Sequence, residues 1–156
     1  LRIDDVVEIV YKCARALHYA HSRGVIHRDI KPSNIMLTQD SDVRIIDFGI
    51  AKVVNRGWQT QAGILKGKSR YMSPEQLLAR KVDRRSDVFL MGIVLWESRT
   101  GRPRFGGASV SDIFNAIGQQ PIATVEISMS VAPSFRRSMW GNSSLKILIK
   151  ISEIDR

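Results

Sequence analysis

The chain has one cysteine among 156 residues, which excludes any internal disulfide. No apolar run reaches the roughly 20 residues that a membrane-spanning helix needs. A secretory-signal pattern, an internal repeat and a low-complexity tract are also absent from the sequence. Aromatic residues make up 7%, and the three tryptophans do not interleave with basic residues, so a base-stacking surface has no support. Acidic residues are few: 15 against 24 Lys and Arg, a net charge of +9 that invites a nucleic-acid reading. The excess is spread out, with sixteen basic and eleven acidic groups in residues 1–98 and eight and four in residues 99–156. It forms no patch, and no nucleic-acid partner is expected. The 44% hydrophobic content over this length suits one hydrophobic core. These features predict a soluble cytoplasmic domain, whose parent protein could still be anchored to a membrane outside these residues.

Periodicity supplies the elements. Asp5-x-x-Glu8 resembles a capping box, and Val6, Val10, Cys13, Leu17 and Ala20 follow at helical spacing, which puts Cys13 in the core. Gly24 ends that helix, and Val25-Ile26 reads as a short strand. Ile35-Met36-Leu37 and Val43-Arg44-Ile45-Ile46 are apolar and strand-forming, with the turn residues Thr38 to Asp42 between them: a β-hairpin. Val88 to Trp96 is apolar almost all round and predicts a helix buried on every side. Ser109-Val110-Ser111-Asp112 caps another helix through Ile113, Phe114 and Ile117, ended by Gly118 and Pro121. Leu145 to Ile154 fits strand or helix. The chain should be mainly α with one small hairpin.

The chemistry lies on either side of the hairpin. His27-Arg28-Asp29-Ile30-Lys31-Pro32-Ser33-Asn34 precedes it, and Asp47-Phe48-Gly49 starts thirteen residues after Asn34. A hairpin returns its second strand to where the first began, so Asn34 and Asp47 should end side by side. Gly49 permits a sharp backbone turn there. Phosphoryl transfer needs a carboxylate for the attacking hydroxyl, oxygen ligands for Mg²⁺ and a cation near the moving phosphate. Asp29, then Asn34 with Asp47, then Lys31 are residues of those types.

The two runs resemble the H-R-D-x-K-x-x-N loop and D-F-G triplet of eukaryotic-type serine/threonine protein kinases. Tyr71-Met72-Ser73-Pro74-Glu75 resembles the A-P-E element, with Ser for Ala, and Asp87-Val88-Phe89-Leu90-Met91-Gly92 resembles D-x-W-x-x-G, with Phe for Trp. The resemblance implies Asp29 as catalytic base, Lys31 at the ATP phosphates, and Asn34 and Asp47 as Mg²⁺ ligands, acting on a protein substrate with MgATP. It implies that Asp87 holds the loop backbone from below; a carboxylate favoured by a helix N-terminus is the bland alternative. Glu75 closes the activation segment, and His27 packs beneath the loop. His18 and His21 are read as packing residues, since no further ligand accompanies them.

Between Asp47 and Glu75 lie Lys52, Arg56, Lys66, Lys68 and Arg70 with no acidic residue. Such a segment suits ordering by phosphate, with Arg28 as the implied partner and Thr60 and Ser69 as the available hydroxyls; solvated loop residues are the alternative. Lys31 with Pro-Ser-Asn resembles serine/threonine kinases, whereas Lys68 departs from the G-T-x-x-Y pattern; a one-residue slip would put Ser69 in that role. The motifs cover residues 1–118, a partial kinase domain, and fade over 119–156. They correspond to the larger, helical lobe alone, without the Gly-rich loop and V-A-I-K lysine of the N-terminal lobe. The expectation is a catalytic lobe that is not competent by itself; the alternative is a non-catalytic pseudokinase or remnant serving as an interaction module.

Overall fold

A computed structural model describes residues 2–40, 42–49, 69–107, 109–119, 126–128 and 146–148. Helix α1 spans Ile3–His21. It begins before the Asp5-x-x-Glu8 signal, because Asp5 works from inside the helix: its carboxylate accepts the Arg2 N–H at 3.2 Å. The apolar stripe is buried as its spacing predicts, through Val6, Cys13, Leu17 and Ala20. Burial pushes the Cys13 thiol up to about 11, so it is a core residue and a poor nucleophile. Gly24 closes the helix in the left-handed region, at φ +73°. The Val25 N–H is then spent on the Ala20 carbonyl at 3.0 Å. Val25-Ile26 is therefore not the expected strand; no described residue pairs with it as a ladder.

A 3-10 turn at Pro32–Asn34 leads into β1 (Ile35–Leu37), which pairs antiparallel with β2 (Val43–Ile45). Ile35 lies opposite Ile45 and Leu37 opposite Val43, with the partly buried Ile35, Val43 and Ile45 packed on the main core. The Ile46 N–H extends the ladder to the Asn34 carbonyl at 2.9 Å. That bond closes the hairpin base immediately before Asp47.

After α2 (Pro74–Leu77) comes α3 (Arg84–Thr100). Asp83 caps α3 by accepting the Arg85 N–H at 2.8 Å, and the Arg85 guanidinium holds its carboxyl below the usual carboxylate range. Gly101, at φ +66°, ends it. The helix exceeds the apolar run at both ends, since capping and not hydrophobicity sets its limits. It is not buried on every side: Val88 is 55% exposed. Its Leu90, Ile93 and Leu95 are fully buried, each contributing roughly 1.5–3 kcal/mol by burial.

Helix α4 (Val110–Gln119) starts as predicted. Ser109 Oγ accepts the Asp112 N–H at 3.1 Å and the Asp112 carboxylate accepts the Ser109 N–H at 2.8 Å. The core joins α1, α3 and α4 through Cys13, Leu17, Leu90, Ile93, Ile113 and Ile117, with Ile30 of the intervening loop among them. The sequence left 145–154 open between strand and helix; β4 (Lys146–Leu148) pairs antiparallel with β3 (Glu126–Ser128). The described residues are helix-rich, with two two-stranded sheets among them where one hairpin was expected.

Candidate functional site

The loop 27–34 is set by a residue far from it in the chain. Asp87, in the first turn of α3, is fully buried. One of its oxygens accepts the His27 N–H at 2.9 Å and the other the Arg28 N–H at 2.7 Å. The first oxygen also meets His21 Nε2 at 2.7 Å. A buried carboxylate needs such partners to offset its desolvation. The bonds also hold Arg28 at φ +67°, a left-handed conformation unfavourable for a residue with a side chain. Asp87 thus ties the backbone of the loop to α3, from a place in the first turn of that helix where a carboxylate is also favoured by the helix N-terminus.

His27 braces the same loop from within. Its Nδ1 accepts the Asp29 N–H at 3.2 Å, so Nε2 is the nitrogen that donates to the Ile46 carbonyl at 3.0 Å. Its ring lies 4.5 Å from that of Phe48. The Gly49 N–H reaches the His27 carbonyl at 2.8 Å, and a Cβ on Gly49 would come within 2.7 Å of that oxygen. Glycine is needed there for close approach; the left-handed residue of the triplet is Asp47, at φ +58°.

Asp29, Lys31 and Asn34 converge. Lys31 Nζ is 3.0 Å from Asp29 Oδ2. Asn34 Nδ2 donates to the Asp29 carbonyl at 2.8 Å and to Oδ2 at 3.2 Å. Both Asn34 bonds use the amide nitrogen, which leaves Oδ1 to act as a ligand. The hairpin brings Asp47 back to this place, one residue past the Ile46–Asn34 bond, with its side chain exposed. Among the described residues no group of three or more His, Cys, Asp or Glu is arranged to hold a metal. A carboxylate and an amide oxygen fit Mg²⁺, which typically takes one or two protein oxygens and completes its shell with phosphate and water.

A second segment supports the loop from the other side. Gln76 Nε2 donates to the Arg28 carbonyl at 2.7 Å. Gln76 is itself fixed by a capping box, because its side chain accepts the Ser73 N–H at 2.9 Å and Ser73 Oγ accepts its N–H at 3.4 Å. Glu75 accepts from the Ser86 hydroxyl, and the Tyr71 hydroxyl donates to Glu97. Burial, then the Glu97 carboxylate, raise the Tyr71 phenol above its ordinary range. Ser69 is 1% exposed, so it is not a solvated loop residue. Thr60 lies outside the described residues. Sequence reading missed His21, Gln76, Ser86 and Glu97. Only Gln76 had a local signal, the Ser-x-x-Gln box beginning at Ser73.

The loop gathers a carboxylate, an ammonium and an amide at one point, and the hairpin returns a second carboxylate beside it. The protein kinase domain model matches residues 1–154, past the last of the recognised motifs, and the chain belongs to that family. The chain is 38% identical over 148 residues to the probable serine/threonine-protein kinase PknB of Bifidobacterium longum, covering 94% of this chain and 21% of that protein. It is 42% identical over 120 residues to the serine/threonine-protein kinase PknB of Mycobacterium leprae (76% and 19%). It is also 40% identical over 122 residues to the tyrosine-protein kinase MasK of Myxococcus xanthus (73% and 19%). The chain therefore spans about a fifth of the length of these curated relatives.

Proposed function

We propose that the protein containing this chain transfers the γ-phosphoryl group of ATP to a serine or threonine hydroxyl of a protein substrate. The observation that carries the reading is the meeting of Lys31 Nζ and Asn34 Nδ2 on the Asp29 carboxylate. Asp29 orients the attacking hydroxyl and takes its proton as the O–P bond forms and the bond to the ADP oxygen breaks. Lys31 bridges Asp29 and the incoming phosphoryl group, balancing charge on both. Asn34 Oδ1 and the Asp47 carboxylate would hold Mg²⁺, which would supply charge neutralisation at the ATP phosphates. The names of two of the relatives support serine or threonine as acceptor.

Several further assignments belong to this reading. The chain corresponds to the larger lobe, and residues 119–156 are its divergent end. A phosphate clamp outside these residues completes the site, so the 156 residues alone are not competent: catalysis here rests on positioning and electrostatics. Arg28, whose buried Nε has no hydrogen-bond partner among the described residues, receives a regulatory phosphate from the segment that includes Thr60. A cytoplasmic place for the domain belongs to the same proposal; separately, among the described residues no helix is long and apolar enough to cross a membrane.

The test is the full-length protein with MgATP and a serine, a threonine and a tyrosine peptide. Asp29→Asn should lower kcat by about 10²–10⁴ while leaving the unfolding midpoint near wild type. Equal turnover by wild type and Asp29→Asn would refute the assignment, and labelling of the tyrosine peptide alone would move the acceptor to tyrosine.

A further inference from the structure

Counted by halves, the chain's positive excess looks even, but one exposed stretch is dense. Arg80, Lys81, Arg84 and Arg85 lie within six residues, with Asp83 as the one acid among them. Asp83 is taken by Arg85, through a salt bridge at 3.0 Å and two bonds from the guanidinium Nε. Arg80, Lys81 and Arg84 form no ion pair with a described residue. Residues 50–68 contain no carboxylate to serve them. Two large apolar side chains border the stretch, Leu78 at 45% and Val88 at 55% exposure.

These residues go against local preference. Two arginines occupy the first turn of α3, where the helix dipole favours anions and disfavours cations. Ala79 stands at φ +51°, in the left-handed region that suits glycine. The cause is the end of α2, where the Ala79 N–H reaches the Gln76 carbonyl at 3.3 Å and the Arg80 N–H the Glu75 carbonyl at 2.8 Å. Such a cap is often accompanied by an apolar contact, but the residues in those places are Arg80 and Glu75. The far end of the stretch is pinned too, since the Ser86 hydroxyl of α3 donates to Glu75 of α2. Leu78, Arg80, Lys81 and Arg84 are thus presented from a connection tied at both ends. Breaches of local preference gather at functional or strained sites. A surface set in advance also binds at a lower ordering cost than a loose one.

We propose that residues 78–88 form a docking surface for an acidic segment of a partner polypeptide, one that carries apolar side chains among its carboxylates. Arg80, Lys81 and Arg84 meet the carboxylates, and Leu78 and Val88 cover the apolar groups. Three cations without an ion pair fall short of the cluster of about four to eight that reads as binding anionic lipid. Docking there does not depend on the kinase reading.

The probe is a fluorescein-labelled peptide of interspersed Glu and Leu without Ser, Thr or Tyr, so it cannot act as a phosphoryl acceptor. Its binding to the full-length protein is followed by anisotropy. Arg80→Gln, Lys81→Gln and Arg84→Gln combined should weaken binding about tenfold, and Leu78→Ser with Val88→Ser about fivefold, with unfolding midpoints near wild type. Three charges removed elsewhere, by Arg2→Gln, Arg15→Gln and Arg23→Gln combined, should change affinity by less than about twofold. Equal affinity in wild type and the first triple variant overturns the proposal. An equal loss in both triple variants marks bulk charge alone and also overturns it. Should the Leu78 and Val88 variant unfold, wild type is compared on the Glu–Leu peptide and a Glu–Gly one, and equal binding of the two is a refutation. Phosphatidylserine vesicles that bind wild type and not the first triple variant, with no binding of the peptide, would assign the surface to lipid and overturn the proposal.

Discussion

The loop 27–34 and the segment 69–77 flank one site but are built differently. The loop gathers Asp29, Lys31 and Asn34 within six residues and is held from within by His27 and Asn34 and from outside by Asp87. Arg28 sits in the left-handed region because Asp87, 59 residues away in sequence, takes its N–H. The segment 69–77 carries no reacting group and is held piecewise. Ser73 and Gln76 cap each other locally, Glu75 reaches Ser86 eleven residues on, and Tyr71 reaches Glu97 twenty-six residues on. Concentrated chemistry rests on one distant buried charge, while the supporting segment spreads its anchoring over several weaker bonds.

That contrast predicts a hierarchy of damage. Asp87→Ala strips two buried backbone donors and His21 of their acceptor at once. Urea unfolding should show a loss of about 3–5 kcal/mol, the usual cost of breaking a buried charge network. A loss below about 1 kcal/mol would mean that the loop holds itself.

Tyr71→Phe should be milder, at about 1–3 kcal/mol, because it leaves the Glu97 carboxylate short of a donor. It also has a pH signature. The folded-state value of Tyr71 is raised, so its contribution is complete below the ordinary tyrosine value near 10. It is lost as pH climbs from there toward the folded-state value. Wild type should lose stability above about pH 10 with a steeper slope than Tyr71→Phe; parallel slopes in denaturation at pH 9 to 11 would contradict this.

Gln76→Ala should cost least, about 1–2 kcal/mol, from one cap and one bond to the Arg28 carbonyl. Its sharper readout is kinetic. If the segment positions the loop, peptide turnover falls further than stability does; if activity simply follows the folded fraction, the Gln76–Arg28 bond is structural only.

What the sequence disclosed follows the same division. The meeting of Asp29, Lys31 and Asn34 was legible in their motif, and the return of Asp47 toward Asn34 in a hairpin with its turn residues in place. The helices showed through spacing and caps, as at Ser109. His21 was misread as packing: nothing near it announces a carboxylate 66 residues on. Val88 was misread as core, because an apolar residue on a largely buried helix does not declare which face it occupies. Gly49 was assigned to a turn, while its place is dictated by the His27 carbonyl pressing on it. In each case the cause was a tertiary contact, and local pattern carries no record of it.

The distance between Asp87 and the loop also has a consequence for how the chain is made. Synthesis proceeds from the N-terminus, so the loop and the D-F-G triplet leave the ribosome well before the residue that sets them. Until α3 has emerged, the His27 and Arg28 donors lack the acceptor that the fold gives them. The nascent chain thus displays the full set of reactive side chains without their geometry. The arrival of Asp87 supplies the anchor for the first two residues of the loop.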